Sequence, residues 1–230
     1  MKFDILTLFP ETIEAYINSG VIGRAKNTKH IIDITVHDIR DYTTNPHKKV
    51  DDTPFGGGAG MIVQLEPIYH TLEQILEATP DTRKHIVFFK AGATLFDQSK
   101  AISYAEDFDH IIFICGRYEG IDHRVEQYLS HESLSIGPYV LTGGELPSLI
   151  VLDAVSRYVP EVLGNQESVK EESWLNGTTN EYPQYSRPRT FTPSNPHLVD
   201  TTAPVTWDVP EVLLSGDHAA IAQWRKEHSS

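Results

Sequence analysis

The sequence predicts an α/β fold in which a mostly parallel sheet is covered by helices on both faces. Three observations lead there. Short apolar-rich runs of strand length alternate with stretches of helical spacing from Phe3 to Val159. The strand runs Phe3–Leu8, Ile86–Phe89 and His110–Cys115 have the composition of strands buried on both faces. The chain has 230 residues, 40% hydrophobic and 10% aromatic, which is enough for one large domain, or one domain with an appendage, around a substantial core.

Phe3 to Leu8 reads as a buried strand ending at Phe9-Pro10, where a helix opens with proline in its first turn. Ile31 to Val36 is a second β-branched run, and between the two lies a small basic cluster, Arg24, Lys26 and Lys29. Asp41 to Gly60, DYTTNPHKKVDDTPFGGGAG, is loop-like, with two prolines, paired aspartates and four glycines. Two readings stay open for it: a flexible tip, or a mobile loop that closes over a substrate with His47, Lys48 and Lys49 facing phosphate. GGGAG is not a triphosphate-binding loop, because no Lys-Ser/Thr follows at the required spacing. Pro67 to Leu76 has helical spacing with proline at its start, and Ile86 to Phe89 is a short strand followed by the loop KAGAT. A helix from Asp97 to Ala105, a strand from His110 to Cys115, the turn GRYEGID and a helix containing Val125 and Leu129 come next.

Ser135 to Glu145, SIGPYVLTGGE, holds three glycines in eleven residues and leads into a helix. Thr142 and Glu145 have the spacing of a capping box. The helix carries Leu146, Leu149, Ile150, Leu152, Val155 and Val159, with Arg157 near its end. Gly137, Gly143 and Gly144 let the backbone turn sharply or approach a ligand. In parallel sheets ligands sit beyond the carboxyl ends of strands. The loops Lys90–Thr94, Gly116–Asp122 and Ile136–Gly144 all lie at such ends, so one shared site is expected there. Gln166 to Thr202 is rich in Glu, Asn, Thr, Ser and Pro, Val209 to Leu214 is apolar again, and Asp217 to Lys226 is a candidate short helix around Ile221 and Trp224. The expected organisation is a domain over 1–162, an extended linker over 163–208 and a small helical domain over 209–230.

A net charge of −13 excludes a protein that coats nucleic acid by charge alone, and no DNA partner is expected, although a local basic patch could still read one RNA site. The single cysteine, Cys115, permits no intrachain disulfide and no cysteine-based metal cluster, and it suits the reducing cytoplasm. It lies in the apolar run IIFIC and reads as a small core residue. No run reaches membrane-spanning length, and the amino terminus lacks the apolar segment of a signal peptide.

Six motifs, VDDTPFGGGAGM, CGRYEGID, SIGPYVLTGGELP, DAVSRYVPEVLGN, EYPQYSRPR and VPEVLLSGDHAAIAQWR, stand in that order along the chain. In this it resembles the bacterial tRNA (guanine-N1)-methyltransferases of the TrmD type, in the SPOUT superfamily, from residue 1 to about 227. The resemblance implies a deep trefoil knot in the α/β domain, which no periodicity could show. It also implies a homodimer, S-adenosyl-L-methionine as methyl donor, and a tRNA with guanosine at 36 and 37 as acceptor, methylated at position 37. By position, the cofactor would be held by Phe89, Gly116, Tyr118, Gly120, Ser135, Ile136, Gly137, Pro138, Tyr139, Val140, Leu141, Gly143, Gly144 and Pro147. Glu119 would lie near the methyl transfer, where magnesium is implicated, and Arg157 would face the guanine O6. Asp51 with the glycine loop (Gly57, Gly58), and Arg187, would touch the tRNA.

Where the family carries an aspartate base in a linker motif resembling EDSF, this chain reads Glu171-Glu172-Ser173-Trp174, which puts Glu172 in the base position. The chemistry suits these residue types. Guanine N1 carries a proton at neutral pH, so a carboxylate must remove it while a guanidinium at O6 stabilises the enolate-like base. The loop that usually reads LSPQG is here Phe89-Lys90-Ala91-Gly92-Ala93, a change that backbone-mediated contacts tolerate, while Lys90 beside a cationic sulfonium is unfavourable unless it points outward. Pro138 replaces a usual aspartate, and the chain stops at Ser230, before a basic segment that many relatives carry. From the residues alone, Arg157 could simply cap its helix, Glu119 could be a surface charge in a turn, and Tyr182 and Tyr185 could be packing residues. A relative that binds cofactor or RNA without efficient transfer remains the alternative, with an unrelated α/β nucleotide-binding protein behind it.

Overall fold

Successive residues of the central strands serve two different cores, because side chains alternate across a strand. The computed structural model describes residues 1–164, 181–194 and 206–229. Its first compact unit, Met1–Gln166, contains β1 (Lys2–Thr7), α1 (Pro10–Ile17), α2 (Gly20–Asn27), β2 (Asp33–Asp38), β3 (Asp51–Asp52), β4 (Ile62–Val63), α3 (Leu65–Ala78), β5 (Lys84–Leu95), α4 (Gln98–Asp107), β6 (His110–Ile114), β7 (Glu132–Ser135) and α5 (Glu145–Ser156). β1, β2, β5, β6 and β7 form one parallel sheet in the order β2-β1-β6-β5-β7. Phe3, Ile5, Val87, Phe89, Ile111 and Phe113 join Ile13, Ala25, Ala101 and Leu152 in one buried cluster. Leu6, Ile86, Phe88, Ile112 and Ile114 join Ile68, Leu72 and Ile75 of α3 in the other. The sheet is thus covered on both faces, as its composition predicts.

Local departures from the sequence reading have physical causes. α3 begins at Leu65, so Pro67 is its third residue; the first four N–H groups of a helix have no partner in any case, and proline costs nothing there. Val125–Leu129 is one π-helical turn rather than an α-helix. The KAGAT stretch is not a loop after a strand but an irregularity within β5, since Phe89 and Thr94 both pair with Leu134 and the four residues between them are extruded. Thr142 does not cap α5: Gly144 occupies the cap position, without a side-chain cap bond. Among the described residues no helix is long and apolar enough to cross a membrane.

The second unit, Glu167–Ser230, contains the two-residue strands β8 (Thr190–Phe191) and β9 (Trp207–Asp208), paired antiparallel, and the helices α6 (Glu211–Leu214) and α7 (His218–Glu227). Asp217 caps α7 by accepting from the N–H groups of Ala219 and Ala220. The Arg225 guanidinium lies 4.7 Å over the Tyr182 ring, and the Tyr185 and Trp224 rings are 6.4 Å apart. Tyr185 nevertheless keeps about half of its surface exposed.

Candidate functional site

β6, β5 and β7 are neighbours, so the chain leaving their carboxyl ends meets at one edge of the first unit. It encloses a cavity of about 410 Å³, within the range of small-molecule sites. The extruded part of β5 contributes Phe88, Phe89, Lys90 and Ala91. The turn after β6 contributes Gly116, Arg117, Tyr118, Glu119, Gly120 and Ile121, with His123 and Glu126 just beyond. β7 and the segment after it contribute Leu134, Ser135, Ile136, Gly137, Tyr139, Val140, Leu141, Thr142, Gly143 and Gly144, with Pro147 of α5. Every residue read as cofactor-binding lines this cavity except Pro138, and Glu119 lines it too. Lys90 lines it as well, with its side chain half exposed and its ammonium on Glu126.

Each turn is braced from within. Ser135 Oγ donates to the Gly137 carbonyl at 2.9 Å, and the Tyr139 hydroxyl donates to the Ile136 carbonyl at 3.1 Å, folding the segment on itself. Gly144 N–H donates to the Gly116 carbonyl at 3.0 Å, which joins the last turn to the one after β6. The glycines matter here through proximity, since Gly137, Gly143 and Gly144 all have ordinary negative φ values. A Cβ at Gly144 would lie 2.6 Å from Cys115 Cα and 2.9 Å from Gly116 N, and one at Gly143 would lie 2.5 Å from Glu145 Oε2. At Gly137 it would strike the Tyr139 ring. These residues let neighbouring segments of the protein approach closely.

The acidic residue of the expected capping box has another task. Glu145 is buried, and its carboxylate accepts from Thr7 Oγ1 at 2.7 Å and from Arg117 Nε at 2.9 Å. The Arg117 guanidinium also lies 4.3 Å over the Phe9 ring. This brace ties α5, β1 and the turn after β6 together and holds Arg117 in the cavity wall. Sequence reasoning did not single out Arg117, Ile121, His123, Glu126 or Leu134. The first two lie inside the CGRYEGID motif, and His123 and Glu126 stand three apart immediately after it, so that spacing was the available signal.

The remaining charges of the wall are arranged around Glu126. It accepts from Lys90 Nζ at 2.9 and 3.1 Å and from Ser133 Oγ at 3.0 Å, and His123 Nδ1 lies 3.2 Å away. Burial pushes its carboxyl upward, but the hydrogen bonds from Lys90 and Ser133 and the charges of Lys90 and His123 prevail and hold it below the usual glutamate range. Among the described residues, no group of three or more His, Cys, Asp or Glu side chains could hold a metal ion.

Other sequence-predicted residues lie elsewhere. Asp51 is on β3, paired with Val63 of β4, and Val63 in turn bridges Ile121 of the cavity turn. Gly57 and Gly58, with φ of 78° and 132°, are on the loop between β3 and β4, outside the cavity lining. A Cβ at Gly60, the last glycine of that loop, would lie 2.9 Å from Glu119 Oε1. Lys48 pairs with Asp41 at 2.6 Å and Lys49 with Asp52 at 3.6 Å, so these ammonium groups face carboxylates within their own loop. Arg157 follows the last turn of α5 and lines a second cavity, of about 270 Å³, with Tyr16, Asp153 and Leu163. There the Tyr16 hydroxyl donates to Asp153 at 2.5 Å, and this bond, with burial and the Asp153 charge, pushes the phenol up to about 12. Arg187 is exposed in the second unit, and Glu172 lies outside the described residues.

A family model described as tRNA (Guanine-1)-methyltransferase TrmD matches residues 1–230. Three similar proteins, each named tRNA (guanine-N(1)-)-methyltransferase, come from Clostridioides difficile, Heliobacterium modesticaldum and Staphylococcus haemolyticus. The first is 43% identical over 231 residues, covering 100% of this chain and 92% of the relative. The second is 44% identical over 232 residues, covering 100% and 80%, and the third 43% over 227 residues, covering 99% and 85%.

Proposed function

The chain belongs to the TrmD family of tRNA (guanine-1)-methyltransferases, and on that premise we propose how its residues divide the work of a tRNA (guanine-N1)-methyltransferase. The enzyme transfers a methyl group to N1 of a guanine in tRNA, and membership of a methyltransferase family implies S-adenosyl-L-methionine as donor. The observation that carries the site assignment is the meeting of three strand-end turns in one cavity. Its lining suits such a donor: Ile121, Leu134, Ile136, Leu141 and Pro147 give apolar walls for a planar base, while the Glu119 carboxylate offers negative charge to a cationic sulfonium. When bound, the donor supplies a methyl group on a sulfonium that leaves as a neutral thioether, so no covalent enzyme intermediate is required.

The acceptor is guanosine 37, next to a guanosine at 36, and the target base must be turned out of its stack to reach a pocket. Glu172 takes the N1 proton as general base, and Arg157 stabilises the negative charge that then builds toward O6. Glu119 lies beside the transfer. Asp51 with Gly57 and Gly58, and Arg187, hold the anticodon loop. The Val63–Ile121 bridge supports this reading, because it ties the β3–β4 arm to a cavity turn.

The working form is a homodimer in which one subunit completes the other's site. Two features support it. Leu146 and Ile150 leave apolar surface exposed on α5, and Val140 and Leu141 of the preceding segment are exposed too. Helical spacing then puts Leu146, Ile150, Asp153 and Arg157 on one face, so a second copy covering that stripe would also bury the region of Arg157. The trefoil knot implied by the family belongs to the same proposal. So does the division into 1–162, 163–208 and 209–230, and so does a cytoplasmic location, where tRNA is modified.

Methyl incorporation into a tRNA transcript with guanosine at 36 and 37 tests the reading. Incorporation should disappear when guanosine 37 alone is replaced; persistence would overturn the position assignment. Sedimentation should give a dimer, and a strictly monomeric active protein would overturn the shared site.

A further inference from the structure

Five acidic or basic side chains line the main cavity, its two tyrosines aside: Lys90, Arg117, Glu119, His123 and Glu126. Two of the cations have a carboxylate of their own. Arg117 is held by Glu145, and Lys90 is held by both oxygens of Glu126, at 2.9 and 3.1 Å. Among the described residues Glu119 has no ion-pair partner. Counting Lys90 and Arg117 against Glu119, Glu126 and the bracing Glu145, the wall therefore presents one uncompensated negative charge. The methyl donor carries a positive sulfonium and its demethylated product carries none, while the rest of the two molecules is the same. Apart from contacts to the methyl group itself, the charge balance of the wall is what can separate them.

We propose that the Lys90–Glu126 pair sets how strongly this cavity prefers the cationic donor, S-adenosyl-L-methionine, over its neutral product, S-adenosyl-L-homocysteine. The inference rests on the cavity being the donor site. Lys90 belongs to the segment extruded from β5, and its ammonium would oppose a sulfonium if left bare. Glu126, 19% exposed, lies on the π-helical turn between β6 and β7 and cancels that charge in place, with Ser133 fixing one of its oxygens. The pair thereby lets a lysine stand in the wall without costing the cavity its net negative character. Because the Lys90 side chain is 52% exposed, water and salt screen its charge, and the effect is a tuning of preference rather than an all-or-none gate.

Calorimetric titration of both ligands at low salt, on full-length wild type, Glu126→Gln, Lys90→Met and the double variant, tests the proposal. The readout is the ratio of the two dissociation constants, product over donor. Glu126→Gln bares the ammonium and should lower that ratio on the order of fivefold, the scale of one unit charge acting across several ångströms of partly screened protein. Lys90→Met bares the carboxylate and should raise it by a similar factor. The double variant should return within about twofold of wild type, because neither charge remains. A ratio that is unchanged in all four proteins, even if both affinities fall together, would mean that the pair only braces the loop, and the proposal would be overturned. A double variant that keeps the Glu126→Gln ratio would overturn it as well. Wild type that binds neither ligand would instead overturn the donor-site reading, and the inference with it.

Discussion

Replacing Gly144 by alanine probes how tightly the cavity turns are pressed together. The added Cβ would lie 2.6 Å from Cys115 Cα and 2.9 Å from Gly116 N, both backbone atoms. Ordinary contact starts near 3.4 Å, so the turn and the end of β6 must part by about 0.8 Å. No flexible side chain can absorb that movement. Overpacking of this kind costs about 1–3 kcal/mol, and the separation also strains the bond from Gly144 N–H to the Gly116 carbonyl. A displacement close to 1 Å at a positioning element can lower turnover about a hundredfold. Donor affinity by calorimetry, methyl transfer to tRNA and a urea unfolding curve should all shift. Gly164→Ala, where an added Cβ meets nothing within 4 Å, should leave each unchanged. Wild-type stability and donor affinity in Gly144→Ala would refute the claim that close backbone approach builds this site.

Glu172→Gln should abolish turnover with little loss of donor affinity, and near-normal methyl transfer would rule Glu172 out as the base. Glu145→Ala removes a buried carboxylate that accepts from Thr7 and Arg117, so urea unfolding should show a loss of about 2 kcal/mol; an unchanged midpoint would count against the brace. Asp4 gives a pH-dependent prediction. It is buried in β1, and its carboxylate accepts from His110 Nε2 at 2.5 Å and His37 Nε2 at 2.6 Å. Burial pushes its carboxyl upward, but those hydrogen bonds and the histidine charges prevail and hold it well below the usual carboxylate range. A depressed folded-state pKa adds stability above the unfolded value, about pH 4, and loses it as pH falls further. Asp4→Asn should therefore be less stable than wild type by about 3 kcal/mol at pH 7, with the gap closing below pH 4 in acid titrations followed by circular dichroism. A gap that does not change with pH would refute the linkage.

The layered sheet was legible because its signals are local: apolar runs at Phe3–Leu8 and His110–Cys115, and helical spacing between them. The meeting of three strand-end turns was legible for a related reason, since parallel strands place their carboxyl ends on one side. Other features needed neighbours distant in sequence. Glu145 stands three residues after Thr142, as a capping glutamate would, yet its partners are Thr7 and Arg117. Lys90 read alone as a charge to be turned away, and only Glu126, 36 residues later, explains how it can line the cavity. The glycines of SIGPYVLTGGE were read as places of sharp turning or close approach, and only the folded chain shows that their φ values are ordinary and that the segments pressing on them come from Cys115, Gly116, Arg117 and Tyr139.

By itself, then, the sequence determined the family, the parallel sheet buried on both faces, and the strand ends at which a ligand would be held. Those follow from periodicity, composition and motif order, which are properties of neighbouring residues. Tertiary structure alone decided which charges cancel in the cavity wall, where α5 begins, and that Arg157 lines a separate cavity from Glu119. Charge pairing and close packing depend on separations of a few ångströms between residues far apart in the chain, and no local pattern encodes those distances.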